Sequence, residues 1–235
     1  YRRPTLGEQI VLGLGNNIDY EIVWDSEVLE RLIVEFDIRD SEICSDIQIF
    51  SIRSLVVSIL GFLKNESGGE HFVNSLEIIL DFASLFQKKI TMGGTSFRAA
   101  MAMRKIGYNS ALHLVTTNDL VRKMIPQDTP WVCSNDSDSF YPHLIVQFDK
   151  GTCVKAGDVS LQTKSANRII YVNDHDNFVM EISPELESLS SDARVFLVSG
   201  FNAMQSGELL SDKLDKLLKI IQSLPSDTIV FYEDA

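Results

Sequence analysis

Positive charge is in short supply. The chain carries 21 Lys and Arg against 33 Asp and Glu, a net charge of −12 at pH 7. A surface so acidic is repelled by phosphate backbones and anionic lipid, which argues against a general nucleic-acid or membrane-surface binder while leaving room for a phosphate held locally. Cysteine is scarce as well. Cys44, Cys133 and Cys153 have no metal-ligand spacing and no pairing pattern, so no zinc site is expected, and reduced thiols in a cytoplasmic setting are. No run approaches the roughly 18 apolar residues of a membrane span, and Tyr1-Arg2-Arg3-Pro4 is not followed by a signal-type apolar region. A soluble protein is therefore expected. Its 235 residues, 45% of them hydrophobic, can bury one large core or one core with an appended lid.

The stretch from Thr91 to Gly107 organises the rest. A short apolar segment ends at Ile90; Gly93 and Gly94 follow, and Phe97, Ala100, Met101 and Ile106 then recur at roughly helical spacing. This reads as strand, glycine turn, helix. A glycine pair there admits close approach of a ligand to the backbone, and the helix N-terminus behind it presents free N–H groups. The same pair also serves simply as the turn that the connection needs. Upstream, Gln9 to Gly15 has a buried-strand pattern that runs into Asn16-Asn17-Ile18-Asp19, the position at which open α/β sheets place ligand-binding groups. Asn and Asp are equally turn formers.

Helical periodicity covers Ser26 to Phe36 and Ser41 to Leu63, where Ile43, Ile47, Phe50, Leu55, Ile59 and Leu63 trace one core-facing stripe. Asn65 to His71 is expected as a turn bearing Glu70 and His71, and Ser75 to Phe86 as a helix. Tyr108 to Val115 reads as a strand and Asn118 to Met124 as a short helix. The pattern changes after Pro126. His143 to Phe148, the turn Asp149-Lys150-Gly151 and Thr152 to Lys155 form an expected hairpin, with another strand from Arg168 to Val172. Such a β-rich insertion suits a lid closing over a cleft; an accessory sheet or a dimer surface is the competing reading. Alternation returns with a strand at Arg194 to Val198, an amphipathic helix from Gly207 to Ser223, and a last strand from Asp227 to Ala235 that no helix follows. That ending points to part of a longer chain.

Several of these segments occur in an order that resembles the ADP-dependent sugar kinases, the glucokinase and phosphofructokinase group of the ribokinase-like superfamily. They are Asn17-Ile18-Asp19; Gly68-Gly69-Glu70-His71-Phe72; Gly93-Gly94; His143 to Phe148; Ser165-Ala166-Asn167-Arg168-Ile169-Ile170; and Val198-Ser199-Gly200. The resemblance implies a ribokinase-like α/β fold: a layered sheet with helices on both faces plus a smaller β-rich lid, without the C-terminal nucleotide-binding part. The large domain is expected at 1–30, 73–125 and 190–235, and the lid at 31–72 and 126–189.

It also implies roles. Asn17 and Asp19 match the sugar-binding pair, Gly93 and Gly94 the glycines whose backbone lies against the sugar, and His143 a lid histidine near it. Glu70 matches the lid acid of members that handle unphosphorylated glucose, which favours glucose over fructose 6-phosphate. Arg168 matches an arginine associated with nucleotide phosphates, a role suited to a planar cationic fork, and Glu233 matches an acid that helps organise Mg2+. The implied activity is phosphoryl transfer from ADP to a sugar hydroxyl, yielding glucose 6-phosphate, in carbohydrate metabolism. Phe231 stands where the family has histidine, Thr95 where Asn or Gln is common, and Gln147 where Glu is frequent. The family's Gly-x-Gly-Asp segment with the catalytic aspartate would lie beyond Ala235, so the catalytic residue is unassigned and the missing C-terminal part is an expected partner. A non-catalytic sugar-binding or regulatory homologue and an ATP-dependent ribokinase-type kinase are the alternatives.

Overall fold

The computed structural model describes residues 9–233. Its first half contains β1 (Gln9–Leu14), β2 (Asn17–Ile22), α1 (Ser26–Glu35), α2 (Ile52–Asn65), β3 (Gly69–Phe72), α3 (Leu76–Ser84), β4 (Lys88–Gly93) and α4 (Thr95–Lys105). Then come β5 (Ala111–Leu114), α5 (Asp119–Met124), β6 (Trp131–Cys133), β7 (His143–Phe148), β8 (Cys153–Ala156), β9 (Val159–Gln162) and β10 (Asn167–Val172). The last are α6 (His175–Val179), α7 (Leu186–Leu189), β11 (Ala193–Ser199), α8 (Gly207–Ser223) and β12 (Ile229–Tyr232). Local chemistry sets several helix starts: Asp25, Asn118 and Ser206 each accept a first-turn N–H at α1, α5 and α8. No described helix is long and apolar enough to cross a membrane.

Two compact units divide the chain. The first takes the described part of Tyr1–Ile18, Met92–Phe140 and the described part of Asp174–Ala235; the second takes Asp19–Thr91 and Tyr141–Asn173. The crossings thus differ from the expected ones near 30, 73, 125 and 190. The reason is packing: α1 and α3, expected wholly or partly in the large domain, bury Val28, Leu29, Ile79 and Phe82 in the same core as Leu55 and Ile59 of α2 and Leu144 and Val146 of β7.

The first unit holds a five-stranded sheet in the order β12-β11-β1-β5-β6, with parallel pairing throughout. Val11, Ala111, Phe196 and Val198 form one face and pack with Leu186 of α7 and Leu217 of α8. Ile10, Leu12, Leu112 and Leu197, opposite by two-residue alternation, are buried too, and α4 contacts β1, β5 and β11. Both faces are therefore covered, which explains why β1 and β5 read as continuous apolar runs. β5 and β6 lie to one side of β1 and β11 and β12 to the other, so the strand order reverses at the carboxyl end of β1, where sheets of this type bind ligands. β12 forms the edge, and Ile229, Val230, Phe231 and Tyr232 are all exposed; Asp234 and Ala235 lie outside the described residues.

The second unit is built on a mixed sheet, β3-β10-β7-β2-β4. One face, with Leu144, Val146, Phe148, Ile169 and Tyr171, is buried against α1, α2 and α3. The expected hairpin does not form: β7 pairs with β10 and β2, whereas β8 pairs with β9, a strand the sequence reading did not identify. β6 likewise lies in a stretch to which the sequence reading assigned no strand. Glu70 and His71 sit in a strand instead of a turn, because β3 runs parallel to β10.

The expected helix over 41–63 begins only at Ile52. Its first part passes across α2 instead, so closely that a Cβ on Gly61 would fall 2.1 Å from the Ser45 amide nitrogen. Ile43 and Ile47 still pack on the core, from irregular backbone, while Phe50 is 61% exposed. Deeper in this core the Tyr171 hydroxyl and Ser58 Oγ share a 2.9 Å hydrogen bond. Tyr171→Phe is expected to cost about 1 kcal/mol, read as a lower urea midpoint at unchanged slope.

Candidate functional site

In the first unit, the chain leaving β1 is tightly fastened. Asn16, fully buried, accepts the Val115 and Thr116 amides at 2.9 and 3.1 Å through Oδ1 and donates through Nδ2 to the Thr116 carbonyl at 3.0 Å. The Asn16 carbonyl accepts from Asn177 Nδ2 at 2.9 Å, and the Gly15 carbonyl from Ser96 Oγ at 2.7 Å. Asn17 follows, 8% exposed. Its amide lies where a side chain on Gly93 would be, since a Cβ there would come within 2.4 Å of Asn17 Nδ2. Gly94 has φ +88°, and a Cβ on it would meet the Gly15 carbonyl oxygen at 2.7 Å. The sequence-derived group Asn17, Gly93 and Gly94 is thus brought together by close backbone approach that only glycine permits. Gly94 is also the N-cap of α4 and has no side chain to cap it, so the first-turn N–H groups there receive no N-cap acceptor.

His113 supports this region from below. It is fully buried; Nδ1 lies 3.1 Å from the Leu14 carbonyl and Nε2 accepts the Ser183 amide at 2.9 Å. That pairing requires the proton on Nδ1, and burial pushes the ring's pKa down to about 4.

In the second unit, Asp19, Glu70, His143 and Arg168 all lie on one face of the mixed sheet. The register carries this. Asp19 pairs with His143, Arg168 with Gln147, and Glu70 with Ile170 two residues beyond Arg168; residues two apart on a strand share a face. This face lies opposite the apolar core. Asp19 is 3% exposed, His143 and Arg168 are half-buried, and Glu70 is exposed on the edge strand β3. The Arg168 guanidinium lies 4.0 Å from Asp19, and its Nε is buried with no hydrogen-bond acceptor.

Sequence reasoning missed Glu21, on the same face two residues after Asp19 and held by a 2.8 Å hydrogen bond from the Thr91 hydroxyl. Strand alternation counted onward from Asp19 would have found it. Glu233 follows β12, its amide donating to the Val198 carbonyl at 2.9 Å. Among the described residues no three His, Cys, Asp or Glu side chains cluster as metal ligands. A single carboxylate such as Glu233 is compatible with Mg2+, which takes one or two carboxylates and completes its shell with water and nucleotide phosphates.

The described chain thus comprises a parallel α/β unit and a second unit built on a mixed sheet. A phosphofructokinase from Pyrococcus horikoshii OT3, solved with AMP, superposes with a TM-score of 0.70 at 13% identity, covering 98% of this chain and 58% of its own. A hypothetical ADP-dependent phosphofructokinase from the same organism gives 0.67 at 14% identity, over 97% and 57%. A last common ancestor of ADP-dependent phosphofructokinases from Methanosarcinales gives 0.64 at 14%, over 97% and 53%. The chain therefore spans little more than half the length of these structures. Comparison with curated proteins finds no match. The family model of the ADP-specific phosphofructokinase/glucokinase conserved region matches residues 8–235, and the chain belongs to that family.

Proposed function

We propose that this chain supplies the acceptor-sugar site and the phosphate-facing arginine of an ADP-dependent sugar kinase, with glucose as the favoured acceptor. The observation that carries the reading is the grouping of Asp19, Glu70, His143 and Arg168 on one polar sheet face of the second unit; within the first unit, Asn17, Gly93 and Gly94 form a group of their own. A buried carboxylate such as Asp19 accepts hydrogen bonds from sugar hydroxyls; the glycine backbone lets a ring approach closely; a guanidinium takes phosphate oxygens. The choice of glucose over fructose 6-phosphate rests on charge. Asp19, Glu21 and Glu70 outnumber Arg168 on that face, which disfavours a second dianion and suits a neutral hexose.

In the proposed reaction a sugar hydroxyl oxygen attacks the terminal phosphorus of ADP, the bond from that phosphorus to the bridging oxygen breaks, and AMP leaves. The hydroxyl proton passes to a base that no residue of this chain is assigned to provide. Asp19 orients the sugar and Arg168 meets phosphate charge. Mg2+, when bound, neutralises charge on the nucleotide, and Glu233 is the residue here that would contribute to holding it.

Asp19→Asn is expected to weaken glucose binding about tenfold to a hundredfold, the loss of a charge-assisted hydrogen bond, measured by calorimetric titration. The function itself is tested by offering the purified gene product ADP or ATP with glucose or fructose 6-phosphate. Glucose 6-phosphate formed from ADP is the expected result. Product from ATP alone, or from fructose 6-phosphate alone, would overturn the reading; glucose binding without turnover would favour the non-catalytic sugar-binding alternative.

A further inference from the structure

In the first unit, the carboxyl end of β1 holds a carboxylate that no step above uses. Asp176, in the short helix α6, has a side chain only 8% exposed. Its place is set from two sides. The neighbouring Asn177 side chain donates to the Asn16 carbonyl at 2.9 Å and to Asp174 at 2.7 Å, which lays α6 against the chain leaving β1. Thr116, just past β5, donates from its hydroxyl to Asp176 Oδ2 at 2.9 Å, and the Ser139 hydroxyl donates to the same oxygen. Oδ1 is treated differently. Among the described residues no hydrogen bond reaches it, and its ion-pair contact, with His175 Nδ1, is 3.9 Å long, beyond hydrogen-bonding range. A buried carboxylate stripped of water needs donors on both oxygens, and one left bare is costly. A second covered group, Ser134 Oγ, also has no partner. It lies on the turn after β6, where the Ser134 amide donates to the Leu114 carbonyl at 2.9 Å, and so belongs to the same end of this sheet, where ligands bind.

We infer that Asp176 is a further sugar-binding residue of the first unit, accepting one sugar hydroxyl through Oδ1. The inference rests on the proposed function for the identity of the ligand; the position and the bare oxygen come from the fold. The surroundings suit a neutral, hydroxylated molecule. The hydroxyls of Thr116 and Ser139 and the amides of Asn16 and Asn177 carry no charge, and a carboxylate without a cation bonded to it repels an anion. Two donors on Oδ2 also fix the orientation of the group, so Oδ1 offers its lone pairs in a set direction. It therefore selects for the hydroxyl that points at it.

The test separates contact from architecture. Asp176→Asn keeps the shape of the side chain, and hydroxyls that donate to a carboxylate can accept from an amide; folding is checked by circular dichroism. Calorimetric titration compares glucose with its 1-, 2-, 3-, 4- and 6-deoxy analogues on the wild-type chain and on D176N. Glucose is expected to bind D176N about tenfold more weakly, the difference between a charged and a neutral acceptor. Of the penalties for removing a hydroxyl, a single one is expected to shrink by that same factor while the others stay as in the wild type. A merely structural role would shift glucose and every analogue alike. If D176N does not fold, Asp176→Glu, which keeps the charge and displaces it by one methylene, is read in the same way. Unchanged glucose affinity in the variant, or a loss spread equally over glucose and all the analogues, would overturn the inference. A wild-type chain that binds no glucose would overturn the functional reading itself, a result distinct from glucose bound without Asp176.

Discussion

Gly94→Ala is expected to lower stability by about 3 kcal/mol and to abolish measurable glucose binding. Two costs combine. The backbone at φ +88° lies in a region that a residue with a Cβ occupies only with strain of roughly 1–3 kcal/mol, and the new methyl would sit 2.7 Å from the Gly15 carbonyl oxygen, an overpacking cost of about 1–3 kcal/mol. The second cost cannot relax through a flexible side chain. The obstructing atom is backbone, and that carbonyl is already tied to Ser96 Oγ at 2.7 Å while the next residue, Asn16, is bound on both sides of its amide. Relief must come from movement of the β4–α4 junction, which displaces Gly93 from Asn17. Urea denaturation reads the stability loss, and Thr95→Ala, at an exposed neighbour, serves as a control expected within about 0.5 kcal/mol of wild type. A G94A protein of wild-type stability would show that the turn carries no such constraint.

Acidification is expected to destabilise the fold through His113. Its ordinary pKa is 6.5 and burial depresses it to about 4 in the folded state. The unfolded chain therefore takes up this proton before the folded one does. The stability at stake is fully present above pH 6.5 and is lost as the pH falls toward 4, amounting to about 3 kcal/mol over that window. Protonation is resisted because Nε2 already accepts the Ser183 amide; a proton there would face an N–H donor in a fully buried site. Comparing unfolding free energies of wild type and His113→Asn from pH 7.5 to 4 isolates the contribution. H113N is expected to be less stable at neutral pH, with the gap narrowing by about 3 kcal/mol as the pH falls; parallel profiles would refute the assignment.

What the sequence disclosed follows physical lines. β1 and β11 are buried on both faces and so appear as unbroken apolar runs, and α8 is amphipathic over seventeen residues; such elements carry their own signal. The segment 41–51 does not, because Ile43 and Ile47 reach the core from irregular backbone that merely imitates helical spacing, and the clue to its path is Gly61, in another element. The β7–β8 hairpin was a local inference from the turn at Asp149 to Gly151, whereas pairing is decided by burial: β7 places Leu144, Val146 and Phe148 in the core and takes β10 and β2 as neighbours. The domain crossings shifted for the same reason, since helices join the sheet on which their apolar faces pack. At the site, family resemblance singled out Asp19, Glu70, His143 and Arg168 one by one, while their common face is a property of register between strands distant in sequence. Glu21 carried no motif and became visible only through that register. The Asp19–Arg168 approach, across an intervening strand, has no sequence signature.

We propose that the polar face of the second unit serves a neutral sugar. Calorimetric titration of the wild-type chain with glucose and, separately, with fructose 6-phosphate tests it most directly. Saturable glucose binding that is at least about tenfold tighter than fructose 6-phosphate binding, a difference of roughly 1.4 kcal/mol, is the predicted result. Tighter binding of fructose 6-phosphate, or no binding of glucose by a folded chain, would contradict it.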